Sequence, residues 1–336
     1  MIKEITKDIL ENNKVVLEQI EAREIFDEIY QGLSGEITST AFIVALQKIV
    51  KTEETLQAII EASTDAVKKP TSEFKNAFQT ISTSYCSDYL DIYFAVDIIN
   101  SANNITTIKY ATDKFNNTDT FKTFAIQGQN YSREFLDNLE ETNFCYYYLD
   151  KDEKYLKYTN EIRKNFDFEN IFDFIDCFLN PFGIKNHMIG TSNTDDVQKT
   201  AKLALLLKYD NTITLTSAQG LPYATLDKEN TIAEAWKNKI FTYTLNSELL
   251  DLPNYSIDKI KTENNKESLE IIKKVFDGKI KDAPYYTIIL NSALSLYISK
   301  NASSIMDGIK IAQKTIDSGL AMEKIKQIEK SLQKFK

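Results

Sequence analysis

From about residue 66 onward, short apolar runs alternate with amphipathic stretches, and this alternation restricts the fold more than any other feature. Parallel strands need a crossover between them, and crossover helices must bury their apolar stripes on the sheet. The runs read as strands are Ile105–Lys109 (ITTIK), Phe144–Leu149, His187–Gly190 (HMIG) and Asn211–Thr216 (NTITLT), which favour β-branched and aromatic residues. Tyr223–Asp227 and Phe241–Asn246 read as edge strands. Helical spacing marks Ser132–Leu139, Lys154–Asn165 and Asn170–Phe178, and another helix capped near Thr194. Four helical patterns close the chain: Lys266–Phe276 ending at Gly278, Pro284–Ile298, Ser303–Ile316 and Met322–Phe335.

Residues 1–65 have a different texture and predict four short helices. Ile2, Ile5, Ile9 and Leu10 form one stripe; Ile20, Ile25, Phe26 and Ile29 form another before Gly32. Thr38 is the expected N-cap for the run Phe42–Val50, and Thr52 opens a fourth helix to about Ala62. The expected fold is α/β: a small all-α domain over 1–65, then a larger α/β domain over 66–336 with a mostly parallel central sheet flanked by helices.

Composition narrows the function classes. Of 336 residues, 43% are hydrophobic and 26% charged, an ordinary globular balance. A net charge of −9 repels phosphate backbones and anionic membrane surfaces, so neither is an expected partner. No run is long and apolar enough for an ordinary transmembrane helix. The opening MIKEITKDILENNK mixes acids with bases and does not read as a signal peptide, so a cytoplasmic protein is expected. Cys86, Cys145 and Cys177 stand far apart with no CxxC, which predicts small buried residues and neither a zinc site nor a disulfide framework.

Side chains that could carry chemistry are sparse. His187 is the single histidine, at the start of an apolar strand, so no Ser-His-Asp or Cys-His arrangement forms without it; it reads as structural. Asp195-Asp196 suits a helix start. Glu140-Glu141 reads as a solvated pair just past a helix, and at least one ring of Tyr146-Tyr147-Tyr148 must face the core. Glycine is more informative. None of the nine glycines lies between residues 36 and 127, where the first strand–loop–helix unit should fall. A phosphate cradle needs glycine for close backbone approach to the anion, so neither a Rossmann turn nor a Walker loop can be drawn there.

Taken in order, these segments resemble anthranilate phosphoribosyltransferase and its relatives nearly end to end. Glu24–Ile29 with Gly32, Gly35-Glu36, Thr38, Phe42, Ala45-Leu46 and Thr52-Glu53-Glu54 is similar to the family's helical dimerisation domain. Asn170-Ile171-Phe172 with Phe178–Pro181 resembles its "TLFNLLGPLTNP" segment, and Met188-Ile189-Gly190 its "xVGVYS" strand. Gly278, Pro284 and Ile289–Ala293, then Ser303–Ala321 with Ile316-Asp317-Ser318-Gly319, resemble the closing signatures.

The family's site motifs fare differently. Its "GTGGDG" diphosphate loop falls at Ser82-Thr83-Ser84-Tyr85-Cys86, with no glycine. Its phosphate-holding "NIST" falls at Asp91-Ile92-Tyr93-Phe94. Its "KHGNR" falls at Lys109-Tyr110-Ala111-Thr112-Asp113, with only the lysine kept. Its magnesium-binding Asp-Glu pair falls at Gly220-Leu221-Pro222-Tyr223, with neither acid. Arg163 matches the arginine that faces the aromatic acid, here read as an arginine on an exposed helix. The resemblance thus implies a degenerate member without phosphoribosyl transfer, acting as a binding or interaction protein and dimerising through its N-terminal helices. No catalytic residue, metal site or cofactor is assigned, and Lys109 and Arg163 are the only substrate-binding remnants. Its cleft would be lined by Tyr85, Tyr93, Phe94, Tyr110 and Phe115. Two alternatives stand beside this: an active transferase of tryptophan biosynthesis with a rearranged site, and the family's nucleic-acid-binding branch.

Overall fold

The structure, a computed structural model, describes every residue except 15, 50, 68–73, 75, 84–87, 112–132, 149–157, 165, 167–169 and 334–336. The chain divides into two compact units: Met1–Glu73 with Leu149–Gly183, and Phe74–Tyr148 with Ile184–Lys336.

The first unit is helical in its described residues. It contains α1 (Ile2–Leu10), α2 (Gln19–Tyr30), α3 (Glu36–Leu46) and α4 (Glu53–Ala66) from the N-terminal stretch. Thr52 caps α4 as its sequence predicts, accepting from the Thr55 amide at 3.2 Å. Helix α3 begins earlier than expected. Gly35, at φ 72°, is its N-cap, so Thr38 lies inside the helix. A cap at Gly35 uses a conformation that a side chain would resist. The unit is not the continuous segment 1–65, because Leu149–Gly183 completes it. Phe26 shows why. Its ring is fully buried and meets Phe42 edge-on at 6.2 Å and Phe172 edge-on at 6.3 Å, and Phe172 comes from that later segment.

In chain order the second unit contains β1 (Phe78–Ser82), α5 (Ile92–Ala102), β2 (Thr107–Ala111), α6 (Arg133–Thr142) and β3 (Phe144–Tyr148). The first unit takes the chain back for α7 (Asn160–Lys164) and α8 (Ile171–Phe178). The second unit resumes with β4 (Asn186–Gly190), α9 (Thr194–Leu206), β5 (Asn211–Ser217), β6 (Asn230–Trp236) and β7 (Lys239–Leu245). It ends in α10 (Asn265–Phe276), α11 (Ala283–Ile298), α12 (Ile305–Asp317) and α13 (Leu320–Gln333).

Its sheet has the order β3-β2-β1-β4-β5-β6-β7. The pairs from β3 to β5 are parallel, and β6 and β7 join antiparallel. One face packs Phe78, Met188, Ile213, Leu215 and Ile232 into a core shared with α5 and α11. Ala233 and Ala235 of β6 pack instead with Val197 and Ala201 of α9, so helices cover both faces. The expected mostly parallel sheet flanked by helices is present, after an N-terminal helical region.

Two elements differ from the sequence reading for identifiable reasons. Tyr223–Asp227 is a loop, and the strand is β6. Asn291 Oδ1 accepts from the Ala224 amide at 2.9 Å and Asn230 Oδ1 from the Thr225 amide at 2.7 Å, so side chains take the donors a ladder would use. Strand β2 starts at Thr107, not Ile105, because the Ile105 amide turns back to the Asn100 carbonyl at 3.0 Å. Glu140 and Glu141 lie inside α6, exposed, and the cap of α9 is Asn193, one residue before Thr194. The expected helix over 154–165 is described only as α7, its earlier part lying outside the described residues.

Helix α11 is apolar nearly all round because neighbours surround it. Its contact with α12 is a backbone approach: a Cβ added at Gly308 would stand 2.6 Å from the Ala293 carbonyl oxygen. Gly308→Ala should therefore destabilise the protein by about 1–3 kcal/mol despite alanine's better helix propensity. The urea midpoint measures this; an unchanged or higher midpoint would contradict the contact.

Candidate functional site

Open α/β sheets bind ligands outside the carboxyl ends of their strands, where the winding direction reverses. Here β1 is followed outward by β2 and β3 on one side and by β4 and β5 on the other. The crevice should open between the ends of β1 and β4, at Thr83 and Gly190.

That position is filled by the chain itself. The Thr83 amide and hydroxyl both donate to the Gly190 carbonyl at 3.0 Å. Tyr93, in the first turn of α5, donates its hydroxyl to the Pro222 carbonyl. Its ring meets Tyr223 edge-on at 6.5 Å. A Cβ at Gly190 would overlap both the Pro222 oxygen and the Tyr93 hydroxyl, so glycine here permits closure of the backbone on itself. Tyr93 is 5% exposed, and Leu221 and Tyr223 are each 4% exposed.

The helix that points at this crevice is also occupied. A helix N-terminus attracts anions through its free amides and dipole. In α5 the N-cap Asp91 supplies its own carboxylate, which accepts from the Phe94 amide at 3.1 Å. A second anion would meet that negative charge.

Lys109 is turned inward. Its Nζ donates to the Thr80 carbonyl at 3.0 Å and the Thr80 hydroxyl oxygen at 2.7 Å, and lies 3.7 Å from Asp97 Oδ2. Thr80 in turn donates to Asp97 at 3.0 Å. The ammonium also lies 5.6 Å from the centre of the Tyr93 ring. Asp97 is fully buried, and desolvation pushes its carboxyl up to about 7 against the opposing pull of Lys109 and Thr80. Neither Thr80 nor Asp97 was singled out from sequence. The signal was a lone carboxylate in the apolar helix IYFAVDIINSA.

Arg163 sits on α7 in the helical unit and is 9% exposed, which corrects the exposed position expected for it. Its guanidinium pairs with Asp176 at 2.6 Å and stacks 4.3 Å over Phe172. Burial favours this because a charge removed from water needs a partner. His187 is buried, stacked on Tyr209 at 3.8 Å, and desolvation pushes its imidazole down to about 3. Phe94 belongs to the hydrophobic core and not to a cleft wall. Tyr146 and Tyr147 are both buried, as are Cys145 and Cys177. Ser84, Tyr85, Cys86, Thr112, Asp113, Phe115 and the side chains of Tyr110 and Tyr148 lie outside the described residues.

Gly220-Leu221-Pro222-Tyr223 offers no carboxylate. Leu221 donates its amide to Ser217 Oγ at 3.0 Å, and Gly220, at φ 78°, abuts the Ser192 carbonyl. Among the described residues, no three His, Cys, Asp or Glu side chains form a group that could hold a metal ion.

Two measurements probe these charges. Arg163→Ala removes the guanidinium that pairs with the buried Asp176 carboxylate at 2.6 Å, and should cost about 3–5 kcal/mol in urea unfolding. A cost below about 1 kcal/mol would mean that the pair is solvated. For Asp97, the folded carboxyl titrates above its unfolded value near 3.8, so its contribution is full at acid pH and fades as pH rises through about 7. Asp97→Asn should remove that loss between about pH 4 and 7; identical stability–pH slopes in both proteins would refute it.

Residues 112–322 match a family model described as "Glycosyl transferase family, a/b domain". The chain is 24% identical over 314 residues to anthranilate phosphoribosyltransferase of Caldicellulosiruptor saccharolyticus, covering 92% of this chain and 93% of that one. The anthranilate phosphoribosyltransferase structure from Thermus thermophilus superposes with a TM-score of 0.85 at 16% identity, over 98% of this chain and 99% of that one. That from Saccharomyces cerevisiae, in complex with PRPP and Mg, superposes with a TM-score of 0.81 at 16% identity, over 99% and 98%. The chain therefore belongs to this glycosyl transferase family, as a member resembling anthranilate phosphoribosyltransferase.

Proposed function

We propose that this protein keeps the family scaffold but has lost phosphoribosyl transfer, and acts as a binding or interaction protein. The observation that carries this reading is Tyr93, whose hydroxyl bonds the Pro222 carbonyl across Gly190 at the end of β4. By resemblance, residues 91–94 stand where the family holds phosphates, and 220–223 where its acid pair holds magnesium. A phosphate about 4 Å from the Asp91 carboxylate would be repelled by roughly 4 kcal/mol at the effective dielectric of a protein surface. The metal does not fit either. Magnesium takes oxygen ligands, carboxylates foremost, in a strict octahedron, whereas Leu221 is apolar, Tyr223 offers a buried phenol and no carboxylate, and the Pro222 carbonyl is already bonded. Losing one preorganised partner of transition-state charge costs about 3–4 kcal/mol, so losing cradle and metal together removes roughly 10⁴-fold or more of rate.

The same reading includes a cytoplasmic protein that uses no cofactor and binds no nucleic acid, in line with a net charge of −9. Among the described residues no helix is long and apolar enough to cross a membrane. Homodimerisation through the N-terminal helices is part of it too: Ile20, Leu33, Ile37 and Val44 all expose apolar surface there. Light scattering should give a dimer of the 38.5 kDa chain, with Ile37→Asp shifted towards monomer; a wild-type monomer at micromolar concentration would count against it.

One observation favours the second reading, an active transferase with a rearranged site: similarity to a functional enzyme's sequence over nearly its whole length. Titration calorimetry with phosphoribosyl diphosphate and magnesium separates the two. The first reading expects no metal-dependent binding up to millimolar ligand and no phosphoribosyl anthranilate in a coupled assay. Saturable, magnesium-dependent binding with turnover would overturn it.

A further inference from the structure

The sheet face opposite the Asp97 network carries a row of buried polar side chains. Gln79 on β1 stands opposite His187 on β4, and His187 opposite Thr212 on β5. Register mates on parallel strands point to the same face, and adjacent strands lie about 4.8 Å apart. Gln79 is 2% exposed, and His187 and Thr212 are wholly buried. Four of their polar atoms lack a hydrogen-bond partner: Gln79 Oε1, His187 Nδ1 and Nε2, and Thr212 Oγ1. The Tyr209 ring stacks on the face of His187, which leaves the nitrogens at the ring edge unsatisfied.

Buried polar atoms nearly always find a partner, so a contiguous row of orphans requires an explanation. Their unsatisfied atoms are not hydrogen-bonded to one another, and His187 stands between Gln79 on one neighbouring strand and Thr212 on the other, so a molecule that served all three would sit at the edge of its ring. Their chemistry fixes its nature. The Gln79 carbonyl accepts, the Thr212 hydroxyl does either, and a neutral imidazole offers one donor and one acceptor. None carries a formal charge, so the complement is a small neutral molecule that both donates and accepts. Water meets that requirement, and buried waters characteristically make about three bonds to such groups.

We infer that β1, β4 and β5 enclose a permanent internal hydration site in which water bridges Gln79 Oε1, the His187 ring edge and Thr212 Oγ1. This bridge links three central strands across the reversal point of the sheet, and it names the partners of the single histidine, which the sequence read only as structural.

Oxygen-17 relaxation dispersion of the full chain counts long-lived internal waters. The wild type should hold at least one more than His187→Phe, and at least one more than the double variant Gln79→Met/Thr212→Val, which leaves His187 in place. Cooperative thermal unfolding certifies each variant as folded, and the double variant serves if His187→Phe fails to fold. Equal water counts in wild type and either folded variant would overturn the inference. So would a scalar coupling across a direct Gln79–His187 hydrogen bond in the wild type.

Discussion

A carboxylate removed from water must be met by a cation and donors, and Asp97 is met by Lys109 and Thr80. That requirement ties α5 to β1 and β2 at once. Tyr93 and Asp97 are four residues apart, so they share one face of α5. The lysine that answers Asp97 also lies near the Tyr93 ring. Anchoring the carboxylate therefore fixes the helix in rotation, and with it the tyrosine that reaches Pro222. The pair is a device of position more than of stability, since desolvation offsets much of its Coulombic gain.

The consequence for function follows from satisfied valences. A ligand crevice at a sheet's reversal point works because backbone amides and cations there still seek partners. Among the described residues, the donors there are already engaged: the Thr83 amide by the Gly190 carbonyl, the Tyr93 hydroxyl by the Pro222 carbonyl, the Phe94 amide of α5 by Asp91, and the amino group of Lys109 by Thr80. A phosphate would have to displace contacts already made within the chain.

Legibility in the sequence tracked the range of the forces involved. Side-chain caps were readable at Thr52, which opens α4, and at Asn170, which opens α8, because both bonds close within three residues, whereas the cap of α3 is the glycine Gly35 and not Thr38. The antiparallel β6 was not, since its neighbour at 223–227 loses its ladder donors to Asn230 and to Asn291, the second 67 residues away. Arg163 was placed on an exposed helix because a short amphipathic stretch does not reveal what lies beside it. Asp176, 13 residues on, buries it.

By itself, the sequence determined the fold class, the helical start and the absence of glycine where a phosphate cradle would need it, because periodicity and backbone freedom are properties of short stretches. Tertiary structure alone decided which partners the remaining charged groups would take. Lys109 was legible as the one cation kept from a motif, but whether it faces a ligand or Asp97 depends on strand order and helix rotation. It also decided that Gln79, His187 and Thr212 stand in one row, since only the pairing of β1, β4 and β5 brings residues more than a hundred positions apart to the same level.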